Sequence, residues 1–138
     1  MNAAEQAKSL ETASKIAAVV NLFKAEFPDA RSDLKPWAND ADTRELVDPD
    51  SIDLGFHFPG FSRRFQSRSL LVQIRFHEDG LTQERRAIGI EVAGFDHRGK
   101  QWRLSTVESW SFEGERCPVP EISDKLRAFL REVLQLFN

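Results

Sequence analysis

His57, His77 and His97 recur at twenty-residue intervals, and imidazole is the commonest side-chain ligand for metal ions. A metal site needs its ligands within one coordination sphere. In a hairpin, His77 falls about seven residues beyond the point opposite His57, over ~20 Å away at ~3.3 Å per residue. His57 and His97 can approach one another, but no cysteine or carboxylate stands beside them at metal-ligand spacing. Ser62 and Ser67 lie near a histidine in sequence, yet neither sits in a nucleophile-elbow pattern. Gly89, Gly94 and Gly99 occur in or between strands, so they do not open a helix around a phosphate. Glu91 beside Arg75 or Arg103 reads as a surface ion pair. Cys117, between Arg116 and Pro118, reads as a surface or half-buried structural thiol, the adjacent arginine being the argument for a reactive one. These residues predict no catalytic centre, no metal and no cofactor.

Binding chemistry is better represented. The stretch GFHFPGFSRRF, residues 55–65, combines four phenylalanines with two adjacent arginines. Guanidinium groups grip carboxylates and phosphates in a bidentate way, and aromatic rings offer packing or stacking surfaces. Phe61, Arg63, Arg64, Arg68, Arg98 and Lys100 are the candidate partner-binding residues. The competing reading is a solvated hairpin end, with Phe61 and Phe65 packed under the last helix.

The elements that must position these residues follow from periodicity. Over 3–27, Leu10, Ala13, Ala17, Val20 and Phe27 form a helical stripe, widened by Ile16, Val19 and Phe23 and ended by Pro28. Residues 28–51 are rich in aspartate and hold three prolines. They read as a long acidic loop with one helical turn around 43–47, anchored by Trp37. Alternation then marks four strands. Ile52, Leu54, Phe56 and Phe58 lead the first, and Leu70, Val72, Ile74 and Phe76 the second. Ile88, Ile90 and Val92 mark the third; Trp102, Leu104, Thr106, Trp110 and Phe112 mark the fourth. A bulge near Val107, turning it inward, restores the parity that Glu108 breaks. The turn at 96–100 places a glycine where a left-handed residue is needed. That register sets Gly94 opposite Trp102, whose indole covers the missing side chain. Pro118 and Pro120 end the sheet. A closing helix from about Ile122 carries Leu126, Phe129, Leu130, Val133 and Phe137, capped by Ser123 or a neighbour.

The expected fold is therefore α+β: an N-terminal helix, a long acidic loop, a four-stranded antiparallel meander and a C-terminal helix, with both helices on one sheet face. The open face would carry His57, Gln73, Arg75, Glu91, Arg103 and Ser105, with Ala87, Gly89 and Ala93 between them. The meander brings the loop at 59–68 and the turn at 96–100 to one basic end. Glu78, Asp79, Glu84, Asp48 and Asp50 are expected at the other.

Composition limits the partners. The chain of 138 residues is long enough for one domain with its own core. Its mean hydropathy is −0.45, and no run approaches the ~20 apolar residues that span a bilayer. The net charge of −3 is unevenly spread: residues 1–54 balance to −5 and residues 55–105 to +4. A lone cysteine and an N-terminus without a basic-then-apolar leader predict a cytoplasmic setting.

The stretches FHFPGFSRRFQSRSLLVQIRF and RAIGIEVAGFDHRGKQWRLSTVESWSF resemble a family of small, uncharacterised cyanobacterial proteins, over about residues 50–138. The resemblance implies an accessory protein and assigns no residue a role. Four antiparallel strands followed by a helix are also similar to the unit of Whirly-type and Pur-type single-stranded nucleic-acid binders. That likeness implies binding along an open sheet face, here through Arg75, Arg103 and Phe95. The combined expectation is a non-enzymatic accessory, assembly or regulatory protein that binds an acidic protein partner, with a homodimer through the open face also plausible. Single-stranded nucleic-acid binding is the alternative.

Overall fold

The computed structural model describes residues 1–37, 47–78, 80–82 and 85–138. Apart from Val47, the helical turn expected around 43–47 lies outside the described residues, as do Asp79 and Glu84.

The helix expected over 3–27 is two helices, α1 (Ala3–Gln6) and α2 (Leu10–Glu26). Ser9 separates them: its hydroxyl oxygen accepts the Thr12 backbone N–H at 3.1 Å and starts α2 afresh. The Gln6 amide meanwhile donates to the carbonyls of Pro49 and Ser51, each at 3.0 Å, tying α1 to the body. The inward stripe of α2 is Ile16, Val19 and Phe23. Leu10 is 86% exposed and Ala17 is also exposed, against expectation. Isoleucine, valine and phenylalanine bury more apolar area than alanine, and this sets the rotation of the helix.

Six strands, not four, form one antiparallel sheet in sequential order: β1 (Arg31–Asp33), β2 (Ser51–Ser62), β3 (Ser67–Glu78), β4 (Arg85–Asp96), β5 (Gly99–Ser105) and β6 (Phe112–Gly114). The two extra strands are the edges, three residues each. β1 emerges from the segment expected to be loop and pairs Arg31 with His57 and Asp33 with Gly55. Three residues are too few to show a period, so neither edge is visible as alternation.

β6 replaces the bulge expected at Val107. The chain leaves β5 at Ser105 and reverses over 106–111, with Trp110 at φ +57°. It returns so that Phe112 pairs with Leu104. Thr106 closes the ladder, its N–H donating to the Ile90 carbonyl at 3.0 Å and its hydroxyl accepting the Ile90 N–H at 2.9 Å. Val107 is 61% exposed rather than inward; its side chain lies tightly against Gly89. The bulge that does occur is one strand away, where Arg75 pairs with Gly89 but Phe76 pairs with Ala87. Ile88 is thereby expelled to 58% exposure, and Ala87 moves to the core side. Their expected faces are exchanged.

Gly94 does pair with Trp102, and Val92 with Leu104. A side chain at Gly94 would collide with the indole, so glycine is required for that ring to lie flat on the sheet. Gly99 has φ +112°, as the turn demands.

α3 (Pro120–Phe137) completes the fold. Its N-cap is Val119, with Pro120 opening the helix and no side-chain cap. Ser123 instead donates its hydroxyl backwards to the carbonyls of Pro118 and Val119. Both long helices pack on one sheet face. Ile16, Val19 and Phe23 of α2 and Ile122, Leu126, Leu130 and Val133 of α3 share one core with Leu54, Phe56, Val72, Ile74, Val92 and Leu104.

Candidate functional site

The meander places the β2–β3 tip, residues 63–66, and the β4–β5 turn, residues 97–98, at the same end of the sheet. The sequence-predicted site residues are therefore gathered at one end. The two hairpins end differently. β2 carries extra residues between His57 and Ser62 that have no counterpart on β3, because Pro59 has no N–H for the ladder and Gly60 lets the chain bend. The tip then folds over the core. Phe65 is buried against Phe58 at 4.5 Å and Phe27 at 4.8 Å between ring centroids. The Val119 N–H donates to the Arg64 carbonyl at 3.0 Å, and the Trp102 indole donates to the Phe65 carbonyl. Gln66, at φ +51°, makes the reversal.

The two phenylalanines flanking the arginines thus part company. Phe65 is core. Phe61 is 44% exposed and lines an open groove of about 360 Å³ with Phe27, Pro28, Phe58, Arg64 and Phe65. The far wall carries Glu26, which Lys125 engages at 3.5 Å, and Asp29. Arg63 and Arg68 are exposed and have no carboxylate partner among the described residues, and the same is true of Lys100. Arg64 reaches Glu121 only at 3.6 Å. Arg98 is occupied: its guanidinium holds Asp96 at 2.9 Å and its backbone N–H donates to the same carboxylate at 2.7 Å. Burial works against ionisation of Asp96, but these Arg98 contacts outweigh it and hold the carboxyl below its usual range.

The open face tells a different story. Arg75 pairs with Asp48 at 3.0 Å and with Glu91 at 3.2 Å. Arg103 pairs with Glu108 at 2.7 Å, Glu91 at 3.3 Å and Glu113 at 3.8 Å. The Glu108 hydrogen bond, aided by Glu91 and Glu113 against some burial, keeps the Arg103 guanidinium protonated beyond its ordinary range. Two arginines are thus enclosed by four carboxylates. The Glu91 pairs are those expected from the sequence. Glu113 has no sequence signal, because the three-residue β6 sets it opposite Arg103, and Glu108 comes from the reversal.

Near β1, His57 Nε2 lies 3.0 Å from Asp33 Oδ2. Burial again opposes ionisation of Asp33, while His57, the Lys35 N–H and Arg31 favour it, and the carboxyl is lowered overall. Asp53, on β2 with His57, is fully buried. Its carboxylate accepts from the Met1 ammonium at 2.9 Å, the Ser51 hydroxyl at 2.8 Å and the Trp37 indole N–H. Trp37 thereby anchors the acidic segment. No group of three or more metal-ligating side chains converges among the described residues; His57 lies on β2, His77 on β3 and His97 in the β4–β5 turn.

The end expected to be acidic is mixed. Arg85 and Arg86 pair in register with Glu78 and His77 there, and the Arg85 guanidinium lies 5.0 Å from the Phe76 ring. Among the described residues no helix is long and apolar enough to cross a membrane.

The model of a domain family of unknown function matches residues 4–138, and the chain belongs to that family. No curated protein and no solved structure matches the chain.

Proposed function

We propose that this protein is a non-enzymatic accessory or assembly factor whose hairpin end binds an acidic protein partner. The carrying observation is the half-exposed Phe61 on an aromatic groove, beside Arg63 and Arg68 that lack carboxylate partners among the described residues. Such a groove supplies apolar contact, and the guanidinium groups of Arg63 and Arg68, outside its lining, supply orientation and steering. Arg64 and Lys100 flank the contact. Arg98 holds its turn rigid through Asp96 rather than reaching for a ligand. A cytoplasmic setting and a cyanobacterial source belong to the same proposal.

Single-stranded nucleic-acid binding is the weaker reading. It needs the open sheet face as well as this end, and the carboxylates around Arg75 and Arg103 repel phosphate.

Affinity capture from a native lysate, with an Arg63→Glu/Arg68→Glu variant as the control bait, tests the proposal. An acidic protein retained by the wild type and lost by the variant supports it. Identical catches from both baits would remove the hairpin end from consideration. Titration with labelled single-stranded DNA and RNA decides the alternative, because phosphate contacts weaken log-linearly with salt.

A further inference from the structure

β4 is twelve residues long and β5 only seven, and the two pair over residues 91–96. The start of β4 therefore runs on with no strand on that side among the described residues, and its bulge turns Ile88 out to 58% exposure. This stretch forms one wall of an open cavity of about 580 Å³. Its lining includes Lys15 of α2, Arg85, Arg86 and Ile88 of β4, and Phe137 and Asn138 at the end of α3. No aspartate or glutamate is among the described residues that line it. Arg85 and Arg86 are exposed and have no carboxylate partner among the described residues. Arg85 is held instead over the Phe76 ring at 5.0 Å. Lys15 is already engaged by Glu11 at 3.3 Å, so the charge offered to a ligand rests on the two arginines. α3 ends here with no basic side chain in its last turn, and its final carbonyls are acceptors.

We propose that this cavity is a nucleotide-binding site. The arginine pair takes the phosphate chain, because guanidinium groups meet phosphate oxygens through paired N–H donors. Ile88 and Phe137 give the base an apolar wall, and the end of α3 accepts from its N–H groups. The volume falls within the ~300–1,000 Å³ of small-ligand sites. Inorganic phosphate would use the arginines alone. An acidic peptide would meet the same arginines but also Glu11 and Glu78, exposed beside Lys15 and Arg85, which repel its carboxylates. The cavity lies at the end of the sheet away from the hairpin tip and does not depend on what binds there.

Titration of the full chain with ATP, GTP, CTP and UTP in magnesium-free, low-salt buffer tests this inference, with inorganic tripolyphosphate as the control. Calorimetry gives the affinity and amide NMR shifts give the place. At least one nucleotide is expected to bind about tenfold or more tightly than tripolyphosphate, with shifts centred on residues 85–88 and 137–138. Arg85→Ala/Arg86→Ala is expected to weaken both ligands about tenfold or more. Ile88→Thr is expected to weaken the nucleotide about tenfold and leave tripolyphosphate unchanged. Arg86→Ala alone keeps the test open should loss of Arg85 disturb Phe76. Absence of nucleotide binding would overturn the proposal. So would tripolyphosphate binding as tightly as every nucleotide, which marks an adventitious ion only, or shifts centred on the hairpin end.

Discussion

The indole N–H of Trp102 donates to the main-chain carbonyl of Phe65 at 2.7 Å, away from water. This bond joins the two hairpins across 37 residues of sequence. It fixes the arginine-bearing tip over the core, and it needs Gly94 beneath the ring. Trp102→Phe is expected to leave the carbonyl with only the Ser67 hydroxyl, at 3.2 Å, and to cost about 1–3 kcal/mol. Urea denaturation measures the loss, and amide exchange should report faster opening at residues 63–67 than in the central strands. Gly94→Val is expected to be worse, because the indole has nowhere to move.

Phe61 and Phe65 are four residues apart and should respond oppositely. Phe65→Ala opens a cavity among Phe23, Phe27 and Phe58, at an expected cost of about 3–5 kcal/mol. Phe61→Ala is expected to change stability by no more than about 0.5 kcal/mol while weakening partner binding. Paired denaturation and binding measurements would separate the roles; equal destabilisation by both would count against an accessible Phe61.

Asp53→Ala removes the buried acceptor shared by the Met1 ammonium, the Ser51 hydroxyl and the Trp37 indole. Breaking such a pair typically costs about 3–5 kcal/mol. Release of the Trp37 indole to water is expected to red-shift the emission, whereas a surface substitution such as Lys35→Ala leaves the spectrum unchanged, so the emission spectrum locates the damage. A wild-type denaturation midpoint for Asp53→Ala would show that Trp37 is held by packing alone.

Asp33 gives a pH dependence with a definite sign. Its folded-state pKa lies below the ordinary 3.8, so its contribution is complete above that value. It is lost as the pH falls through the lowered folded-state value. The stability gap between wild type and Asp33→Asn is therefore expected to be constant at higher pH and to close in acid. Thermal melts along an acid series measure it, and a gap that widens in acid would contradict the lowered pKa.

The sequence by itself determined the long strands β2 to β5, the order of the meander, the Gly94–Trp102 register and the gathering of six candidate residues at one end. Each rests on local alternation or turn chemistry, which act over a few residues and are written in residue type. Tertiary structure decided what local patterns cannot carry. β1 and β6 are three residues long and exist only because a neighbouring strand offers an unpaired edge. The facing of α2 was settled by competition between two apolar stripes for one core, which Ile16, Val19 and Phe23 won and Leu10 and Ala17 lost. Whether an arginine is free or spent was likewise beyond the sequence. Arg63 and Arg103 look alike in a charge count, but β6 and the 106–111 reversal surround Arg103 with carboxylates, while among the described residues none pairs with Arg63. Coulombic pairing depends on distance in space, and only the folded chain sets that distance.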